Sequence, residues 1–203
     1  MKGRVILVTA IGAATGSKAA AAALACAGSD PDRPPGLMID VGARAPRPTL
    51  VSSVGARELE ERLAVHLPHL RAASRGQTCH LAIDDDAGAF DSVRAALPLV
   101  RESVAVVHLP PARMQDALTE PDIRASGVLL RADLGSDRAL TALAVRDLLD
   151  CDIRTVVLKR PLAWVPARCA LFGAMPPAGA GGLPTSLRKS LLESEMEIVD
   201  RGT

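Results

Sequence analysis

The chain has 203 residues, of which 48% are hydrophobic, and its 24 basic and 23 acidic side chains leave a formal net charge of +1. This length suits one domain with a sizeable core, and the balanced charge excludes a global field that would attract nucleic acid or anionic lipid. Because Tyr is absent and only two Phe and one Trp occur, the core must be built from Ala, Val, Leu and Ile.

Short apolar runs alternate with longer helical patterns along the chain. Continuous apolar runs, which suit strands covered on both faces, span 4–10, 36–42, 78–85, 103–110, 126–133 and 153–159. Helices are predicted near 17–28, 56–73, 89–102, 111–118 and 137–149, with a terminal helix over 184–197. Regular alternation of this kind implies right-handed βαβ crossovers. We therefore predict a single α/β domain over 1–203, with a mostly parallel sheet of about six to seven strands flanked by helices.

The stretch "TAIGAATGSKA" leads from the first predicted strand into the first helix, where a phosphate-binding loop of the Walker A type lies. Such a loop needs glycines that let backbone amides curl around phosphate, a Lys for the outer phosphates and a Ser or Thr hydroxyl for Mg²⁺. Counted from Gly12, Lys18 takes the lysine position, but Ala19 replaces the hydroxyl residue. Counted from Gly16, Ser17 replaces the lysine. The loop either accepts an anion through its amides or is a small-residue turn without a ligand.

Carboxylates follow the second and third predicted strands. In open parallel sheets, ligands bind beyond the carboxyl ends of the strands. Asp40 ends the second strand, and Asp84, Asp85 and Asp86 follow the third. A carboxylate at the end of a buried strand is the Walker B arrangement, which holds the Mg²⁺ shell. We therefore assign Asp84 to the site, whereas Asp85 and Asp86 are predicted to form a solvated turn, with Asp86 capping the next helix.

These stretches together resemble the MinD/ParA family of deviant Walker ATPases, whose "KGGVGKTT" loop precedes strands ending near "DIG" and "DSPAG". This chain has "TAIGAATGSKA", then "IDVG" (39–42), then "DDDAG" (84–88), in the same order. The likeness of pattern spans roughly residues 3–160. It implies a P-loop NTPase-like fold and an ATP-dependent, face-to-face dimer that positions cargo on a membrane or chromosome.

The resemblance also implies roles for individual residues. The nucleotide-binding set would be Gly12, Ala13, Gly16, Ser17, Lys18, Ala19 and Arg131, the last near the family's adenine-reading Asn. Lys18 and Asp40 would be catalytic, with Asp40 near the attacking water, and Asp40 and Asp84 would serve the metal. However, the catalytic lysine of the family aligns with Ser17, and the metal-binding hydroxyl is lost. These changes remove the main stabilisers of phosphoryl transfer.

We therefore expect a hydrolysis-deficient MinD/ParA-like protein that acts by binding, as a scaffold or spatial regulator in pilus assembly, cell division or segregation. Such degenerate members resemble the TadZ/CpaE-type and septum-site-determining proteins. ATP or ADP is the expected cofactor and Mg²⁺ is disfavoured. The expected partners are a second copy and a protein of a positioning or pilus-assembly system, with no specific nucleic acid and with membrane contact only through a partner. The expected location is cytoplasmic.

Two alternatives remain open. One is an active ATPase in which Lys18 works with Mg²⁺ held through water by Asp40 and Asp84. The other is an unrelated α/β enzyme acting on a small anionic metabolite. A Ser-His-Asp hydrolase built on a G-x-S-x-G elbow is not predicted, because the sequence contains no such motif.

The histidines and cysteines are assigned structural roles. His66 and His69 are predicted to be surface residues rather than metal ligands, since no third ligand lies near them in sequence. His80 and His108 fall within strands and are predicted to be satisfied core groups. The four cysteines are scattered without a CxxC pair, which favours buried thiols over a metal or redox role.

Overall fold

A computed structural model describes residues 4–11, 17–27, 35–43, 51–100, 103–120, 122–123, 127–132 and 155–159. Its strands are β1 (Arg4–Ala10), β2 (Gly36–Val41), β3 (Arg71–Arg75), β4 (Thr78–Ile83), β5 (Val104–His108), β6 (Gly127–Ala132) and β7 (Thr155–Lys159). Its α-helices are α1 (Ser17–Ala27), α2 (Val54–His66), α3 (Ala89–Ala96) and α4 (Met114–Thr119). The predicted helices at 137–149 and 184–197 lie outside the described residues. Within the described part of the chain, no helix is long and apolar enough to cross a membrane.

The seven strands form one sheet in the order β3-β4-β2-β5-β1-β6-β7. Every pair of neighbours is parallel except β3 and β4, which are antiparallel. This confirms the predicted α/β class with a mostly parallel sheet flanked by helices. The six predicted strands are all present, with their ends within two residues of the predicted bounds.

The central strands are buried on both faces, which explains their continuous apolar sequences. On one face, residues such as Leu7, Ile39 and Val107 join a core cluster to which α2, α3 and α4 contribute. Because successive side chains point to opposite faces, the intervening residues Met38 and Val106 face the other way and are also buried.

Helix α1 packs against β1, β2 and β5, and its buried positions are mostly small: Ala20, Ala21, Leu24 and Ala25. Small side chains let this helix lie close to the sheet.

The prediction of one helix over 56–73 is wrong in its last part. Helix α2 ends at His66, and its C-cap Leu67 has φ −132° and ψ 59°, because a residue that precedes proline is disfavoured in the α region. Arg71–Arg75 instead forms β3, which pairs antiparallel with β4. The Ser74 N–H also donates to Glu60 Oε2 of α2 at 2.8 Å. Tertiary pairing therefore overrides the helical propensity of this alanine-containing segment.

Two other helices are shorter than predicted. Helix α3 ends at Ala96, and Leu97–Val100 forms a 3₁₀ turn, since Pro98 cannot donate the hydrogen bond that an α-helix would require. The predicted helix at 111–118 begins as a 3₁₀ turn over Pro111–Arg113 and continues as α4. These differences concern helix ends and leave the strand order unaffected.

The two cysteines in the described residues differ in environment. Cys79 is buried in β4, where burial, followed by the charge of Glu60, raises the pKa of its thiol to about 12. Cys26 is exposed on α1, so the prediction of a buried thiol is wrong at this position. Cys151 and Cys169 lie outside the described residues.

Candidate functional site

Three polar residues converge at the carboxyl ends of adjacent strands. Asp40 lies near the end of β2, His108 is the last residue of β5, and Ser17 opens α1, the helix that follows β1. The sheet order places β5 between β2 and β1, and His108 pairs in register with Asp40 on one side and Val8 on the other. Because register partners on parallel strands point to the same face, Asp40 and His108 both face α1.

Asp40 is buried, with 7% of its surface exposed, and both of its carboxylate oxygens are engaged. Oδ1 accepts a hydrogen bond from His108 Nδ1 at 2.8 Å, and Oδ2 forms an ion pair with Lys18 Nζ. Burial by itself would raise the pKa of Asp40, but the hydrogen bonds and charges of His108 and Lys18 outweigh it and hold this pKa below its ordinary value. Asp40 is therefore an ionised carboxylate at neutral pH.

The ionised Asp40 determines which nitrogen of His108 carries the proton. A carboxylate only accepts hydrogen bonds, so His108 Nδ1 must be the donor. In the neutral imidazole, Nε2 is then the acceptor, and Ser17 Oγ lies 2.9 Å from it. In this neutral form the Ser17 hydroxyl donates to His108, which in turn donates to Asp40. In the charged form, which attracts the Asp40 carboxylate, Nε2 donates to Ser17 Oγ instead. We call this arrangement the Ser17–His108–Asp40 chain.

Lys18 is directed at Asp40 from the first turn of α1. That turn contains no acidic residue, and a cation at a helix N-terminus is disfavoured by the helix dipole. The Asp40 carboxylate supplies the compensating negative charge. The Lys18 side chain is 62% exposed, whereas that of Asp40 is 11% exposed, so water screens the pair from the lysine side and limits its contribution to about 1 kcal/mol.

Asp84 lies at the same edge of the sheet. Asp40 pairs with Ala82 of β4, so Asp84 follows two residues beyond that position and is exposed. The described residues contain no group of three or more His, Cys, Asp or Glu side chains that could hold a metal ion. The assignment of Asp84 and Asp40 to a metal site therefore stays a prediction.

The two carboxylates after Asp84 stabilise the loops at this edge. Arg113 Nε donates to Asp85 Oδ1 at 2.7 Å, and Arg113 Nη2 donates to the Asp86 carbonyl at 3.2 Å. Asp86 Oδ1 accepts from the Gly88 N–H at 2.8 Å. The N-cap of α3 is Gly88 itself, so the prediction that Asp86 caps this helix is wrong. These contacts join the loop before α3 to the turn before α4.

The histidines fall into three environments. His66 and His69 are exposed, as predicted, and His66 Nδ1 donates to the Arg62 carbonyl at 2.8 Å. His80, in β4, is half-buried, and burial, followed by the charge of Arg75, lowers its pKa. His108 was predicted to be a core group, but both of its ring nitrogens bond to residues of the site. Only the strand order, which places β5 beside β2 and β1, could have revealed this role.

Of the remaining residues predicted to bind the nucleotide, the structure describes two. Gly12, Ala13 and Gly16 lie outside the described residues. Ala19 lies in α1, and Arg131 lies in β6, where its backbone pairs with Ala10 at the end of β1.

No protein-family model and no curated protein matches this sequence. The fold and the site together define an α/β protein with a mostly parallel sheet and a polar cluster at its carboxyl edge.

Proposed function

We propose that this chain is a degenerate MinD/ParA-like protein with a P-loop NTPase-like fold, which acts by binding and does not hydrolyse ATP efficiently. It would serve as a scaffold or spatial regulator in pilus assembly, cell division or segregation. Its partners would be a second copy of the chain and a protein of that system, through which any membrane contact is made. The order of the small-residue stretch, Asp40 and Asp84 along the sequence supports this proposal, as does the position of Asp40 and Asp84 at one edge of a parallel sheet.

The observation that carries the proposal is the double engagement of Asp40. A carboxylate that positions an attacking water or a hydrated metal needs lone pairs that this ligand can reach. Here Oδ1 is bonded to His108 and Oδ2 to Lys18, and both bonds favour the ionised form that they surround. Because Asp40 is only 7% exposed, an attacking water or a hydrated metal would have to compete with His108 and Lys18 for the remaining lone pairs of this carboxylate, which costs free energy. This cost favours binding over turnover.

The proposed binding of a nucleotide depends on the N-terminus of α1. The first amides of an α-helix have no intrahelical acceptors and carry partial positive charge, which favours phosphate. Lys18 adds an exposed ammonium group at this position. ATP or ADP is therefore the ligand that we propose, and Mg²⁺ adds little because the Walker hydroxyl is missing.

The test is a calorimetric titration of the full chain with ATP and ADP, each with and without Mg²⁺. We expect saturable binding that depends little on Mg²⁺ and is weakened at least tenfold by Lys18→Ala. Arg57→Ala is the matched control, because it removes an exposed cation from α2 on the opposite face of the sheet. Absence of binding by either nucleotide would overturn the proposal.

The same preparation discriminates between binding and catalysis. Release of phosphate that requires Mg²⁺ and is abolished by Lys18→Ala would establish the active ATPase instead. Binding of a small anionic metabolite without competition by ATP would indicate the unrelated α/β enzyme.

A further inference from the structure

We propose that Ser17 is an activated nucleophile that accepts an acyl group from a small ester or thioester, with His108 as its general base. This activity goes beyond the proposed binding function and requires no nucleotide. It uses the Ser17–His108–Asp40 chain, whose geometry could not be predicted from the sequence.

The three residues of the Ser17–His108–Asp40 chain are connected as nucleophilic catalysis by serine requires. A hydroxyl must lie within about 2.6–3.2 Å of a base, and the base must be oriented by a third group. Ser17 Oγ is 2.9 Å from His108 Nε2, and His108 Nδ1 is 2.8 Å from Asp40 Oδ1. The nucleophile contacts one ring nitrogen and the carboxylate contacts the other, as in a Ser-His-Asp triad.

Asp40 is suited to the orienting role because it stays ionised. Its carboxylate holds His108 in the tautomer whose Nε2 is free to accept a proton, and it stabilises the imidazolium that forms when Ser17 loses its proton. Lys18 pairs with the other carboxylate oxygen, so the orientation of Asp40 is fixed from two directions.

The position of Ser17 in the fold supplies stabilisation for an oxyanion. Ser17 is the first residue of α1, an 11-residue helix that follows a strand of a parallel sheet. By the geometry of any α-helix, the first N–H groups lack intrahelical acceptors, and the N–H of Lys18 comes directly after the nucleophile. Backbone donors at such a position stabilise the negative charge that develops on a carbonyl oxygen.

The reaction is an ordinary acyl transfer. Ser17 Oγ forms a bond to the carbonyl carbon while its proton moves to His108 Nε2. The tetrahedral adduct collapses, the bond from carbon to the leaving oxygen or sulfur breaks, and His108 returns the proton to that leaving group. Water then attacks the acyl carbon while His108 takes one of its protons. The bond from carbon to Ser17 Oγ breaks, His108 returns the proton to Oγ, and a carboxylic acid leaves.

The limited exposure of Ser17 determines the substrate class. Only 9% of its surface is exposed, while the side chains of His108 and Asp40 are 15% and 11% exposed. The hydroxyl is therefore largely shielded from solvent, and we expect a short acyl group such as acetyl to reach it more readily than a long chain.

The experiment treats the native full chain with a small ethyl fluorophosphonate, which phosphonylates activated serines and releases fluoride, and separately with p-nitrophenyl acetate. Peptide mass spectrometry then maps the adduct. We expect about one adduct per chain at Ser17, none in urea-unfolded protein, and none in Ser17→Ala. Ser92→Ala, which alters a serine of α3 on the other face of the sheet, should label like the natural protein.

Two further variants test His108 as the general base and Asp40 as the residue that orients it. His108→Asn and Asp40→Asn should lower the labelling rate by on the order of 10²–10⁴, with the fold checked by circular dichroism. Absence of an adduct on Ser17 in folded natural protein, while a known serine hydrolase in the same tube is fully labelled, would overturn the proposal. Equal labelling of Ser17 and Ser92 would overturn it as well. Neither outcome bears on the nucleotide titration, so the two proposals fail separately.

Discussion

Asp40 and His108 occupy opposite positions on the neighbouring parallel strands β2 and β5, and a 2.8 Å hydrogen bond joins Asp40 Oδ1 to His108 Nδ1. The same register pairs Ile39 with Val107, both of which lie in the apolar core on the other face. A slip of one residue would turn these apolar side chains out of the core and separate the polar pair. Packing of the core therefore fixes the geometry of the site.

Two substitutions of Asp40 should destabilise the fold to different extents. Asp40→Asn removes the charge but keeps an oxygen that can accept from His108, so we expect a loss of about 1 kcal/mol in the free energy of unfolding. Asp40→Ala removes both acceptors and should cost about 2–3 kcal/mol. Urea unfolding at neutral pH measures both values. Equal losses for the two variants would show that the hydrogen bond to His108 contributes nothing.

The stabilising effect of the Asp40 charge should depend on pH. Its pKa in the folded protein lies below the ordinary value of 3.8, so the unfolded state binds the proton more readily and stability is lost as pH falls. The difference in unfolding free energy between the natural protein and Asp40→Asn should shrink as pH falls below about 4, where the unfolded state takes up the proton first. Unfolding curves at several pH values measure this difference. A difference that grew towards low pH would contradict the assigned shift.

Lys18→Ala should leave stability nearly unchanged. The Lys18 side chain is 62% exposed, and exposed ion pairs contribute about 0–1 kcal/mol. Thermal unfolding should therefore give similar midpoints for Lys18→Ala and the Arg57→Ala control. A loss near that of Asp40→Ala would mean that the ion pair is far less hydrated than its exposure indicates. This result also matters for ligand titrations, because a stable variant isolates the effect of the charge on binding.

The turn between β3 and β4 should require glycine or asparagine. Gly76 has φ +59°, and an added Cβ would meet nothing within 4 Å, so only backbone strain opposes a larger residue. Gly76→Ala should cost about 1 kcal/mol in unfolding free energy, whereas Gly76→Asn should cost less because Asn tolerates the left-handed region. Equal costs measured by urea unfolding would show that the turn adjusts its backbone.

The two described cysteines should react at different rates with a thiol reagent. Cys26 is exposed, whereas Cys79 is buried with a pKa of about 12, and the thiolate is the reactive form. In native protein, peptide mapping after alkylation should find Cys26 modified and Cys79 protected until urea unfolds the chain. Rapid modification of Cys79 under native conditions would indicate that β4 opens locally.

The sequence alone predicted the class of the fold because hydrophobic patterning is a local property. Six strands could be placed from their apolar runs, and Asp40 could be placed at a strand end. Strand β3 could not be placed, since "RAASR" has no strand pattern of its own and pairs only because Gly76 returns the chain alongside β4. Helices α2 and α3 end where they do because of the constraints that Pro68 and Pro98 impose. Both prolines are visible in the sequence, but the prediction from apolar periodicity extended the helices past them.

What only the tertiary structure decided is the identity of the groups that meet Asp40. Sequence placed Ser17, Lys18 and Asp40 near one edge of the sheet, but His108 comes 68 residues after Asp40 and 91 after Ser17. Strand order is a long-range property that depends on how the whole core packs, so no local pattern reports that β5 inserts between β2 and β1. The hydrogen-bonded chain of serine, histidine and carboxylate exists because of that insertion.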